Sequence, residues 1–145
     1  MRSPVPRLPL EPTAILNEAA CTTYHWDLAT DRMAWAPNAA TLFGAGKRPL
    51  FPTGRALARA VEPDSGAGPI EAIRASDGAS DGSVPVYRAR YALRLGADRL
   101  VLVDDVGRWY ADAAGRPALV HGCLRIHACA GDDPVLMSAV RARSG

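Results

Sequence analysis

The sequence predicts an α+β domain: a five-stranded antiparallel sheet with short helices covering one face. Three observations carry that prediction. An early pair of segments alternates with period two, three longer alternating segments close the chain, and the residues between them form short helical stretches broken by proline and glycine. Residues 1–12 hold four prolines among few hydrophobic residues and read as an irregular leader. Thr13 to Ala20 is rich in helix formers, and Ile15, Leu16, Ala19 and Ala20 share a face, which predicts a short amphipathic helix.

Tyr24, Trp26 and Leu28 then alternate with His25 and Asp27, the pattern of a half-buried strand. Thr30-Asp31-Arg32 makes a turn, Met33-Ala34-Trp35 forms the returning arm, and Pro37-Asn38 ends it. Ala39 to Phe43 is a helical turn stopped by Gly44. Thr53 is placed to cap a helix from Arg55 to Val61 that buries Leu57, Ala60 and Val61; Pro63 breaks it, and Pro69 opens a last helix with Ile70 and Ile73. Residues 76–83 form a polar, glycine-rich loop. In the next strand Tyr87, Ala89, Tyr91, Leu93 and Leu95 lie on one face, with Arg88, Arg90 and Arg94 on the other. Gly96-Ala97-Asp98 turns the chain into a strand from Arg99 to Tyr110. The stretch from Asp112 to Pro117 turns it again into Ala118 to His127.

The bulk numbers suit one soluble folded domain: 145 residues, 48% hydrophobic and 22% charged. A net charge of +2 with arginines scattered singly leaves no basic stripe, which argues against a nucleic-acid partner. No apolar run reaches the ~20 residues of a membrane helix, and the proline-rich start does not read as a signal peptide. Three cysteines, Cys21, Cys123 and Cys129, without paired spacing fit a reducing cytoplasm.

The run Tyr24-His25-Trp26-Asp27-Leu28-Ala29-Thr30-Asp31-Arg32-Met33-Ala34-Trp35 resembles the opening hairpin of PAS domains, in the subclass found in bacterial histidine kinases and cyclic-di-GMP enzymes. Leu42-Phe43-Gly44 is similar to that family's first helix after the hairpin. Val61-Glu62-Pro63-Asp64 is similar to its hydrophobic-His-Pro-Asp step, with Glu62 in place of the histidine. Gly107-Arg108, the stretch from Asp112 to Pro117, and Val120-His121-Gly122 resemble its final hairpin. The resemblance spans about residues 21–127 and implies a PAS fold and a non-catalytic sensory or regulatory role. Residues 1–20 then form a leader and helix, and 128–145 a linker toward an output domain in cis. Asp132-Asp133-Pro134-Val135-Leu136-Met137 faintly resembles the start of a diguanylate cyclase domain, which makes cyclic-di-GMP turnover of the GGDEF or EAL type the expected output.

Chemistry finds little footing in the pattern. The reactive cysteine of flavin photosensors of this fold is missing, since no cysteine lies between Cys21 and Cys123. His25, His121 and His127 all fall on strands, which argues against haem. His121-Gly122-Cys123 and His127-Ala128-Cys129 lack zinc spacing and read as histidines beside small core cysteines. Asp104, Asp105 and Asp112 are expected at strand ends or turns as solvated carboxylates. A small α+β barrel of ketosteroid-isomerase type would need an acid or base pointing inward, and the sequence places none there.

What the resemblance implies instead is a small pocket between sheet and helices, with Trp26, Trp35, Phe43, Tyr91, Leu93, Val101 and Val103 as lining candidates. The same residues packed together are simply a core. A second implied role is homodimerisation through the outer sheet face and the helix around Ile15 and Leu16, helped by Trp109 or Tyr110 if they point outward. A ligand-free interaction module is the alternative reading.

Overall fold

The structure, a computed structural model, describes residues 12–44, 50–76, 84–95 and 99–129. The leader before residue 12, the Gly96-Ala97-Asp98 turn, most of the polar loop at 76–83 and the linker after residue 129 lie outside the described residues. Among the described residues nine elements follow in order: α1 (Pro12–Glu18), β1 (Cys21–Asp27), β2 (Arg32–Trp35), α2 (Ala39–Leu42), α3 (Gly54–Ala60), α4 (Pro69–Ala75), β3 (Val86–Arg94), β4 (Leu100–Ala111) and β5 (Pro117–Cys129). The strands form one antiparallel sheet in the order β2-β1-β5-β4-β3, so the last strand inserts between the first and the fourth.

Alternation decides which side of each strand is buried. Tyr24 and Trp26 of β1, Met33 of β2, Tyr87, Tyr91 and Leu93 of β3, Val101, Val103 and Trp109 of β4, and Val120 and Leu124 of β5 all point to the inner face. Phe43, Leu57, Ala72 and Ile73 from the helical segment close over them. Burial of these apolar side chains is the main favourable contribution to the fold.

Polar side chains fix where the covering helices sit. Thr53 Oγ1 accepts from the Ala56 N–H and caps α3, while Pro69 opens α4 where a missing N–H costs nothing. Asp31, in the left-handed region at φ +62°, uses its carboxylate as an acceptor for Trp26 Nε1 at 2.9 Å and for the Gly54 and Arg55 N–H groups at 3.1 Å. One turn residue therefore joins the hairpin to the first turn of α3. Asn38 does the same for the other end: its Nδ2 donates to the Cys21 carbonyl and to Asn17 Oδ1, and its Oδ1 accepts from Thr22. Gly44, at φ +65°, ends α2, and Arg99 Nη1 donates to the neighbouring Phe43 carbonyl at 2.7 Å.

On the outer face, His25 and His121 face each other across β1 and β5 with rings stacked at 4.2 Å, and Tyr110 lies edge-on to His121 at 5.2 Å. Tyr110 and Leu119 are exposed cross-strand partners there. Trp109 points inward instead, buried, with Nε1 donating to Ser76 Oγ at 2.8 Å. Strand parity permits only one of the two neighbours to face outward, and that is Tyr110.

Candidate functional site

Two places on the inner side of the sheet carry more than packing. The first is a carboxylate at its centre. Asp105 stands in the middle of β4, 0% exposed, between Ala89 of β3 and Leu124 of β5. It is not the solvated turn residue expected from sequence: its parity with Val101, Val103 and Trp109 forces it inward. Asp104, one position away, faces out and pairs with Arg90 Nε at 2.6 Å, which holds its carboxyl below the usual range. Asp112 does lie in the turn expected of it.

Three tyrosines answer the buried charge. Tyr24 Oη donates to Asp105 Oδ1 at 2.9 Å and Tyr91 Oη donates to Oδ2 at 2.9 Å, while Tyr87 and Tyr24 share a hydroxyl–hydroxyl hydrogen bond. Tyr24 and Tyr87 meet although β5 and β4 lie between their strands. The register explains how: Tyr24 is opposite Gly122, Gly122 is opposite Gly107, and Gly107 is opposite Tyr87. A Cβ on Gly122 would collide with the Tyr24 ring, and one on Gly107 with Tyr87. The two rings thus lie flat over a floor of bare backbone, and their hydroxyls converge beside Asp105.

Burial is the largest influence on every member of the cluster. It pushes the Asp105 carboxyl up to about 7, against the tyrosine hydrogen bonds, which pull it down. It also raises Tyr24, Tyr87 and Tyr91 well above the ordinary phenol range, with the nearby Asp105 charge adding to the effect. All three phenols therefore stay protonated and act as donors.

The second place is a cleft of about 860 Å³ that opens to solvent between α3, α4 and the end of the first hairpin. Trp26, Leu57, Val61, Ile70 and Ile73 give it an apolar wall. Asp31, Glu62, Asp64 and Glu71, with Arg55 and Arg74, give it charged edges. Glu62 is held by Arg94 at 2.8 Å.

Of the lining candidates named from sequence, Trp26 reaches this cleft. Tyr91, Leu93, Val101 and Val103 are each fully buried in the core, and Phe43 is 1% exposed. Trp35 is half-buried, tilted against Tyr24 at 5.1 Å, with Nε1 donating to the Phe51 carbonyl. Sequence reasoning missed Asp105, Tyr24 and Tyr87 as a unit. The unbroken parity from Val101 to Trp109 could have placed Asp105 inward, but the meeting of the two tyrosines depends on register.

Register also brings two thiols together. Cys21 and Cys123 are diagonal neighbours on the outer face of β1 and β5, since Thr23 is opposite Cys123 and Cys21 opposite Arg125. Both are free thiols, and burial together with the neighbouring Cys21 pushes Cys123 up to about 11.

No family model matches the chain, and no curated protein matches it. Among solved structures it is similar to a sensory box histidine kinase/response regulator from Burkholderia thailandensis, at 16% identity and a TM-score of 0.56, covering 91% of this chain and 93% of that one. A further match is an RNA-binding light-oxygen-voltage receptor at 16% identity and a TM-score of 0.47, covering 86% of this chain and 35% of that one. The first likeness is one of fold: a five-stranded antiparallel sheet with short helices, as in PAS-type sensory boxes. Among the described residues, no helix is long and apolar enough to cross a membrane.

Proposed function

We propose that the chain is a non-catalytic sensory domain of a bacterial signal-transduction protein, working in the cytoplasm and binding a small organic molecule in the cleft between α3 and α4. The observation that carries this reading is the cleft itself in a sensory-box fold. It is large enough for a metabolite, apolar on the side of Trp26 and Ile73, and bordered by charged groups able to orient polar ends. The cleft also touches Asp31, the residue that joins the hairpin to α3, so an occupant has a direct route to the covering helices. The output is an enzyme domain in cis, for which cyclic-di-GMP turnover is the first choice and a histidine kinase the second.

A non-catalytic role is favoured because, among the described residues, the carboxyl that burial raises toward neutrality, Asp105, is sealed under tyrosines with no exposed edge. A substrate has no path to it of the kind a ketosteroid-isomerase-type site needs. The alternative of a ligand-free dimerisation module is favoured by one observation: Tyr110 and Leu119, 40% and 37% exposed, form an apolar pair on the outer sheet face.

Native mass spectrometry of the purified chain, with an absorption spectrum of the same sample, tests the proposal. A retained small-molecule mass that is lost on Ile70→Glu substitution, at a half-buried position of the cleft wall, supports the sensor. An apo dimer that stays empty when challenged with metabolite mixtures supports the dimerisation module instead.

A further inference from the structure

The cleft makes no use of the cluster at the centre of the sheet, although the cluster has properties that packing alone does not require. An Asp in a fully buried, mid-strand position is costly unless it is paired, and the usual partner is a cation. Among the described residues Asp105 contacts no arginine or lysine; its contacts are hydroxyls. From β1 it meets Tyr24, and from β3 Tyr87 and Tyr91. From β5 the Cys123 thiol feels the Asp105 charge from the opposite face of the sheet. The charged side chains of the covering helices, Arg55 and Arg59 on α3 and Glu71 and Arg74 on α4, are exposed.

Hydroxyls differ from a cation in one respect that matters here. A cation tolerates only the ionised carboxylate, whereas a hydroxyl can donate to the anion or accept from the neutral acid. With Asp105 ionised, Tyr24 and Tyr91 donate to its two oxygens and Tyr87 donates to Tyr24, so all three hydroxyl protons are used. When a proton from solvent adds to a carboxyl oxygen, the new O–H must be given to a tyrosine oxygen, and that tyrosine must turn its own proton elsewhere. The Tyr24–Tyr87 bond, in which either oxygen can be the donor, is able to reverse and absorb the change. That bond spans the sheet from β1 to β3.

We propose that Asp105 with Tyr24, Tyr87 and Tyr91 is an interior proton-binding site, in which uptake of one proton reverses the tyrosine relay and alters the link between β1 and the β3–β4 side of the sheet. The site is independent of any occupant of the cleft, so it survives or fails separately from the sensor reading above. Two opposed influences set its range. Burial favours the neutral acid, the hydroxyl donors favour the anion, and their balance leaves the carboxyl near neutrality, where cellular pH varies.

Infrared difference spectroscopy of the full chain between pH 5 and 9 tests the site through the carbonyl stretch of a protonated carboxyl. The expected result is a band that disappears with a midpoint near 7 in the wild type and is absent from Asp105→Asn. Tyr91→Phe keeps the ring and removes one donor to the anion, so it should move the midpoint up by roughly one to two pH units. It serves equally if Asp105→Asn does not fold. Tyrosine-labelled NMR spectra should show Tyr24 and Tyr87 shifting with the same midpoint. A wild type with no titrating carboxyl in this range, or a midpoint unmoved in Tyr91→Phe, would overturn the proton site. A carboxyl that titrates while the Tyr24 signals stay fixed would overturn the relay.

Discussion

Replacing Gly122 with alanine tests the most unusual packing in the sheet. In an ordinary strand this change stabilises, by about 0.5–1 kcal/mol, because alanine loses less backbone freedom than glycine on folding. Gly122 does not need a positive φ, so no backbone strain opposes the change. What opposes it is Tyr24: the added methyl falls against Cζ, Cε1 and Oη of that ring, well inside the ~3.5–4.0 Å of a carbon–carbon contact. The ring must lift. Overpacking of this kind costs about 1–3 kcal/mol, and loss of the Tyr24 hydrogen bond to the Asp105 carboxylate adds about 1.5–3 kcal/mol. The net expectation is destabilisation by about 2–5 kcal/mol, measured by urea denaturation. In a Tyr24→Val background the obstruction is gone, and the same Gly122→Ala change should become neutral or mildly stabilising. The cycle should thus give a coupling of about 2–6 kcal/mol, the difference between the two backgrounds. Gly115→Ala is the contrasting control, since its cost of about 1–2 kcal/mol comes from φ +80° alone with nothing near the added methyl. A Gly122→Ala variant as stable as the wild type would refute the flat-ring arrangement.

Stability should also depend on pH through Asp105, with a sign opposite to that of most carboxylates. Its folded pKa, about 7, lies above the unfolded value of about 4, so the folded chain binds the extra proton between them. The contribution is fully present below about pH 4 and is lost as pH rises through 7, by about 4 kcal/mol in all. Denaturation midpoints of the wild type should fall relative to Asp105→Asn between pH 5 and 7.5 and run parallel above that; parallel curves throughout would contradict it. Trp26→Ala should cost about 3–5 kcal/mol, since it empties a buried site and strips Asp31 of its indole donor; a loss under 1 kcal/mol by the same denaturation assay would contradict the packing. Cys123, pushed up to about 11, should alkylate with iodoacetamide at pH 8 far more slowly than a free thiol, as peptide mass spectrometry would register; equal rates would contradict its burial.

Sequence made the elements legible because each carried its own local signal. Thr53 and Pro69 stand where α3 and α4 begin, and the alternation of Tyr87, Tyr91 and Leu93 fixed the buried face of β3. The same rule applied to Val101-Leu102-Val103-Asp104-Asp105 places Asp105 inside. Composition pulled the other way, because adjacent aspartates usually mark a solvated turn. Parity was the better guide, as it was for Trp109 over Tyr110. Contacts between distant strands left no local trace. Nothing near Tyr24 announces Gly122, and nothing near Cys21 announces Cys123, because both meetings arise from β1 pairing with β5 across about a hundred residues of chain. Most of the cleft wall was hidden for a different reason: of the expected pocket residues Trp26 alone reaches it, and whether Trp26 and Ile73 close on each other or leave a gap depends on the path of α3 and α4.

The insertion of β5 between β1 and β4 has a consequence for how the chain is made. Synthesis delivers β1 and β2 first, yet a two-stranded hairpin is at best marginal alone, and its other edge has no partner until β5 has emerged. The β3–β4 pair must wait for the same strand. Until then two half-sheets with open edges and apolar faces sit on the ribosome, and the Asp105 charge has no Tyr24 to receive it. Strand β5 therefore acts as the closing step of this sheet's assembly, and a ribosome stalled before Val120 should hold the sheet without a protected core.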